Sequence, residues 1–234
     1  MEQNQVVSRE AWLEARKAFL QKEKAFTHLR DQLSQQRREL PWVKVDKAYV
    51  FEGPDGPESL LDLFAGRSQL IVYHFMYGAD WDEGCKSCSF MADSYDDIIV
   101  HLNQRDVSMV TISRAPLEEL LAFQKRMGWH FKWLSSANND FNFDYHVSPT
   151  PAEVRDEAMY YNYQPSNFAG EAPGISVFYK GEDGTIYHTY STYGRGLDMF
   201  LTAYHYLDLV PKGRDEDGRN MFWLRHHDKY SNGA

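Results

Sequence analysis

Cysteine is almost missing from this chain: two among 234 residues, Cys85 and Cys88. That scarcity excludes a disulfide framework, and with no second cysteine pair it leaves a four-ligand zinc site without ligands. His226-His227-Asp228 could complete one only by a long chain return, so no metal and no cofactor are expected. Positive charge is also short. Lys and Arg number 25 against 34 Asp and Glu, for a net −9 with no basic stripe, which excludes a nucleic-acid footprint. No apolar run approaches the ~18–20 residues of a membrane span. The start, Met1-Glu2-Gln3-Asn4-Gln5, lacks the charged-then-apolar pattern of a signal peptide. Internal repeats are missing too. What remains, with 43% hydrophobic and 15% aromatic residues, is a cytoplasmic globular protein large enough for a full core.

The two cysteines stand where an apolar run gives way to a helical pattern. Leu70-Ile71-Val72-Tyr73-His74-Phe75-Met76 reads as a central strand, and Tyr77 to Gly84 as a loop. Cys85-Lys86-Ser87-Cys88 then opens a helix whose face carries Met91, Tyr95, Ile98, Ile99 and Leu102. Unpaired amides and the positive dipole end of a helix stabilise a thiolate, and the thiolate is the nucleophile. Cys85 is therefore expected to be the exposed, low-pKa sulfur and Cys88 the buried one that closes a disulfide with it. Lys86 should lower the Cys85 pKa further, whereas Asp80, Asp82 and Glu83 should raise it; Asp82 could alternatively accept the thiol proton. His74, in an apolar strand, reads as a hydrogen-bonded core residue, and His146 as a surface histidine.

Around this centre the chain reads as three regions: an arm over 1–41, a domain over 42–212 and a polar tail over 213–234. Ser8 can cap one long helix over 8–39 that Pro41 ends. Trp12, Phe19, Phe26, Leu33 and Leu40 recur every seven residues on it. This apolar stripe packs either on the chain's own sheet or against a second subunit, and a homodimer is expected. Val43-Lys44-Val45 and Tyr49-Val50-Phe51-Glu52 suggest a hairpin, and Ser59 to Phe64 a helical turn. Val107–Ile112 completes a parallel β-α-β unit with 69–76. A helix from Leu117 and a short strand over 131–134 follow. Residues 135–172 have no clean period beyond a helical stretch at 152–159 and read as an aromatic lid. An antiparallel hairpin over 175–190 and a helix carrying Leu197, Phe200, Leu201, Tyr204 and Leu207 close the domain.

That order resembles a thioredoxin-like fold, which implies an α/β three-layer sandwich with a central mixed sheet behind the long N-terminal helix. Ala79-Asp80-Trp81-Asp82-Glu83-Gly84-Cys85 resembles a peroxiredoxin active-site loop, with an aromatic residue four places before the cysteine. Ser59-Leu60-Leu61-Asp62-Leu63 is similar to the segment that precedes that family's central strand. Cys85-Lys86-Ser87-Cys88 resembles the thioredoxin motif instead, and Pro173 stands where thioredoxins carry a cis-proline. The chain as a whole, including Arg37-Arg38-Glu39-Leu40-Pro41-Trp42 and Tyr193-Gly194-Arg195-Gly196-Leu197-Asp198, resembles an uncharacterised bacterial thioredoxin-like family.

Departures from the patterns sharpen the expectation. Asp82 occupies the Thr or Ser position of peroxiredoxins, and Ala172-Pro173-Gly174 the position of their arginine, with Arg155 as a distant substitute. The groups that would polarise a peroxide are thus replaced. The expected activity is thiol–disulfide exchange by Cys85 and Cys88, supported by Trp81, Asp82, Lys86 and Pro173, on a disulfide substrate and with a reducing partner protein. Peroxide reduction, or a non-enzymatic module that binds a ligand and senses redox state, are the alternatives.

Overall fold

The computed structural model describes residues 4–231; residues 1–3 and 232–234, the ends of the expected arm and tail, lie outside the described residues. The chain separates into two compact units, Met1–Pro41 and Trp42–Ala234. The first is one helix, α1 (Arg9–Arg38), with Ser8 extended at its N-cap and accepting from the Ala11 amide at 3.2 Å. Glu10 in the first turn and Arg37 and Arg38 in the last complement the helix dipole. None of its residues is buried, and Trp12, Phe19, Phe26 and Leu33 are each more than half exposed.

The second unit runs β1 (Val43–Lys44), β2 (Val50–Gly53), β3 (Gly56–Ser59), β4 (Gln69–His74), α2 (Lys86–Tyr95), α3 (Ile99–Asn103), β5 (Val107–Ser113), α4 (Leu117–Met127) and β6 (Trp133–Ser135). It continues with α5 (Phe141–Asp144), α6 (Pro151–Asp156), β7 (Met159–Tyr161), β8 (Gln164–Ser166), β9 (Gly174–Lys180), β10 (Ile186–Tyr193) and α7 (Thr202–Leu207). Eight strands form one mixed sheet in the order β1-β10-β9-β4-β5-β6-β2-β3, while β7 and β8 pair separately. β4 pairs parallel with β5 and antiparallel with β9.

Side chains alternate across this sheet and build a core on each face. Tyr73 and Phe75 join Met91, Tyr95, Leu120, Phe123 and Tyr204 from the helices on one side. Leu70, Val72, Val110 and Ile112 join Phe51, Phe64, Phe141 and Tyr145 on the other. The result is a three-layer, thioredoxin-like α/β fold. Among the described residues no helix is long and apolar enough to cross a membrane.

The structure revises several expected elements. Residues 43–45 and 49–52 form no hairpin together: β1 pairs with β10, and β2 turns through Gly53–Gly56 onto β3. The helix after the cysteines stops at Tyr95 and passes through a 3₁₀ turn into α3, and the Asp96 carboxylate there holds the amides of His130 and Phe131 at 2.9 and 2.8 Å. Leu201 breaks the closing helix, which Arg214 bridges by binding both Asp198 and Asp208. The 135–172 segment is ordered by α5, by α6 with a Thr150–Glu153 capping box, and by the β7–β8 hairpin. Within the tail expected to be polar, Leu224 and His226 are buried.

Candidate active site

Beyond β4 the backbone is tied down before it reaches the first cysteine. The Phe75 amide donates to Ile112 O at 3.0 Å, the Ala115 amide to Tyr77 O at 2.9 Å, and the Cys85 amide to Met76 O at 3.0 Å. Gly84 fills the last place before Cys85 because a Cβ there would lie 2.8 Å from the rings of both Phe123 and Phe75. Its carbonyl accepts from buried His226 Nε2 at 2.8 Å. The neighbouring Glu83 carboxylate binds Arg126 at 2.6 Å and Lys229 at 2.6 and 2.7 Å, and Arg126 in turn holds Asp228. Five charged or imidazole side chains thus fasten the end of the chain onto the loop that carries Cys85.

Cys85 occupies the N-cap of α2 and is partly exposed, and Cys88 is buried one turn on. Both are free thiols, 4.2 Å apart. The Cys85 pKa is lowered from 9.0 to about 6, first by donation from the Cys88 thiol and then, against the opposing cost of burial, by the Ser87 hydroxyl. Ser87 Oγ stands 3.1 Å from Cys85 Sγ. The amides of Ser87 and Cys88 lower it further, although neither reaches full hydrogen-bond geometry to the sulfur. Burial pushes the Cys88 thiol up, and its donation to Cys85 adds to that rise. Tyr73, and the Met76 amide at 3.4 Å, make the opposing contacts to Cys88. One sulfur is therefore disposed to carry negative charge at neutral pH and the other to keep its proton.

Cys88, Ser87 and Pro173 line a cavity of about 300 Å³, which the pair reaches through Cys88 and through Ser87, the hydroxyl 3.1 Å from Cys85 Sγ. Its apolar wall comes from Tyr73, Met91, Leu197, Leu201 and Met221, and Arg195 and Asp198 stand at its polar side. Tyr161, from the β7–β8 hairpin, pins two walls at once: it donates to Pro173 O at 2.7 Å and accepts from the Gly194 amide at 2.9 Å. No cis peptide occurs among the described residues, so the bond before Pro173, which the sequence left open, is trans.

The other singled-out residues lie elsewhere. Trp81 and Asp82 line a separate hollow with Tyr77, Glu119, Phe123 and Arg126. Lys86 is exposed. Neither Lys86 nor the carboxylates of Asp80, Asp82 and Glu83 is among the leading influences on Cys85, which come from the two groups hydrogen-bonded to its sulfur and from burial. Arg155 donates to Pro151 O, and the His146 ring packs on Tyr160. His74 is a buried core residue whose Nε2 lies 2.8 Å from Ser176 Oγ, and burial pushes its pKa down to about 3. Among the described residues no group of His, Cys, Asp or Glu side chains is placed to hold a metal ion.

Fold and site define a thioredoxin-like protein with a reduced dithiol at a helix N-terminus. The chain belongs to the family of bacterial proteins of unknown function DUF899, whose model matches residues 1–230. Among curated proteins none matches. Solved structures similar to it include the peroxidoxin BcpB of Mycobacterium tuberculosis, at 14% identity and TM-score 0.46, covering 70% of this chain and 94% of that one. Peroxiredoxin Q of Xanthomonas campestris is 12% identical, with TM-score 0.42, covering 66% and 90%. A candidate thiol:disulfide interchange protein, DsbE, of Chlorobium tepidum is 12% identical, with TM-score 0.41, covering 70% and 97%.

Proposed function

We propose that the protein is a thiol–disulfide oxidoreductase in which Cys85 is the nucleophile and Cys88 the resolving thiol. The observation that carries this reading is the division of labour between the sulfurs: a thiolate-favouring Cys85 beside a buried, protonated Cys88 4.2 Å away. The Cys85 thiolate attacks one sulfur of a disulfide, forming a mixed disulfide and expelling one thiolate. Cys88 then loses its proton, attacks the Cys85 sulfur and expels the second thiolate. The protein gives up two electrons and ends as the Cys85–Cys88 disulfide, and an external dithiol, in the cell a reducing partner protein, restores it. The proposed location is the cytoplasm, where an external reductant keeps thiols reduced.

Cys88→Ser tests the order of events. Mixed with a small disulfide, this variant should accumulate an adduct on Cys85, seen as the added half-disulfide in the intact mass, because attack proceeds and resolution does not. Peroxide consumption by the wild type at about 10⁶ M⁻¹s⁻¹ or faster would instead make it a peroxidase. A Cys85 inert to both oxidants would leave a binding or sensing module.

The reading extends to assembly. A helix of this length whose Trp12, Phe19, Phe26 and Leu33 all face solvent stands to gain ~1.5–3 kcal/mol for each such side chain it buries. The seven-residue spacing fits a second copy of α1, and the protein is proposed to be a homodimer through it.

A further inference from the structure

The 3₁₀ segment that follows β10 directly, Gly194–Phe200, opens with Gly194-Arg195-Gly196. Gly194 has φ +51°, where a β-carbon is strained, and its amide is held by Tyr161. At Gly196 a Cβ would come within 2.0 Å of Thr192 Oγ1. The left-handed backbone thus favours glycine at 194, the Thr192 side chain crowds the place of a β-carbon at 196, and between them Arg195 lines the cavity that Cys88 also lines.

Arg195 is also a cation whose neighbouring carboxylate is already engaged. The Asp198 oxygens are bound by Arg214 at 2.7 and 2.9 Å, and Arg214 also takes Asp208. Arg195 reaches Asp198 only at 3.6 Å, with 75% of its side chain exposed. The other carboxylate near this wall, Glu216, is occupied by Tyr204, Trp223 and the Met221 amide. A guanidinium in this position has donors to spare, and its planar fork matches a carboxylate. The space behind it is apolar and holds about ten water-sized groups, taking ~30 Å³ for each.

We propose that this cavity binds one half of a small anionic disulfide, with Arg195 taking a carboxylate of the substrate while its carbon chain lies against Met91, Leu197 and Leu201. The inference rests on the thiol–disulfide reading and adds the substrate class. The chemistry balances as before. The Cys85 thiolate and the Cys88 thiol together supply two electrons and one proton, the substrate's sulfur–sulfur bond breaks as the Cys85–Cys88 bond forms, and the two carboxylate-bearing halves leave as one thiol and one thiolate, the latter taking a proton from water.

Single-turnover reduction of three similarly sized disulfides by the pre-reduced protein tests it: dianionic dithiodipropionate, neutral hydroxyethyl disulfide and dicationic cystamine. Each rate is divided by the rate of the same disulfide with a free small thiol, so that intrinsic reactivity cancels. The wild type should favour the dianion over the neutral disulfide by about tenfold or more at low salt, and Arg195→Gln should lower that ratio about tenfold. Arg195→Lys should retain part of it. A dianion-to-neutral ratio near one in the wild type, or one unmoved by Arg195→Gln, would overturn the assignment while leaving the exchange chemistry intact. Failure to reduce all three would instead remove the exchange reading, and this inference with it.

Discussion

Replacing Cys88 by alanine should raise the pKa of Cys85, and the size of the rise measures how the thiolate is held. The leading influence on Cys85 is the hydrogen bond from the Cys88 thiol. A hydrogen bond to a charged group contributes ~1.5–3 kcal/mol, equivalent to ~1–2 pKa units at 1.36 kcal/mol per unit. The midpoint should then move from about 6 in the wild type to ~7–8 in Cys88→Ala. Cys88→Ser retains a donor and should stay within about half a unit of the wild type. At pH 7 this separates a protein that is about 90% thiolate from one that is about half or less. The rate of iodoacetamide alkylation at Cys85, mapped by mass spectrometry across pH 4–10, reads the midpoint directly. The sign for stability follows. Because the folded pKa lies below the free-thiol value, the thiolate's contribution is full above about pH 9 and is lost as pH falls through about 6. A midpoint near 9 in the wild type would refute the whole account. An alanine variant that still titrates near 6 would refute the role of Cys88 and assign the lowering to the helix amides and Ser87.

Gly84→Ala should cost ~1–3 kcal/mol in urea unfolding, since the added methyl meets two rings at 2.8 Å; an unchanged midpoint would mean that Phe75 and Phe123 give way freely. His226→Ala leaves the Gly84 carbonyl without its buried donor, a loss of ~1–3 kcal/mol, and should speed hydrogen exchange at the amides of 83–86 more than elsewhere. Uniform or unaltered exchange would show that the contact holds nothing in place. Phe19→Glu combined with Phe26→Glu should halve the mass seen in sedimentation equilibrium, and a mass equal to that of the wild type would refute association through α1.

Much of the architecture was legible in local pattern. Ser8 and Pro41 bracket α1 to within a residue or two, and the unbroken apolar run at β4 betrays a strand covered on both faces. The alternation around Glu182-Asp183-Gly184 marks the β9–β10 hairpin. Long-range pairing was not legible. β1 is two residues long, and its partner β10 lies more than a hundred residues away, so the adjacent segment 49–52 looked the better match. The helices are interrupted after Tyr95 and at Leu201, although their apolar spacing runs straight through both places, and the Asp96 carboxylate beside the first break is engaged by two amides from far along the chain, those of His130 and Phe131. At the site, formal charge misled. Asp80, Asp82, Glu83 and Lys86 flank Cys85 along the chain, yet a neutral hydroxyl two residues on and a thiol three residues on dominate its environment. Ser87 could have been read from its place inside the motif. Tyr161 and His226 carried no local signal, since one sits in an aperiodic aromatic stretch and the other among charged residues.

The bond between His226 and Gly84 joins residues 142 apart in the chain. A contact that distant closes a very long loop, whose entropy must be overcome before the contact returns anything, so it belongs to the last stage of folding rather than the first. The β-α-β unit of β4, α2 and β5 is closed by a much shorter connection and is expected to form earlier, with its two thiols already in register. Between those events the reactive sulfur exists without its final surroundings. A chain emerging from synthesis would therefore pass through a stage in which the dithiol is present but its loop is unfastened, and reducing conditions would protect it from the wrong partner during that interval.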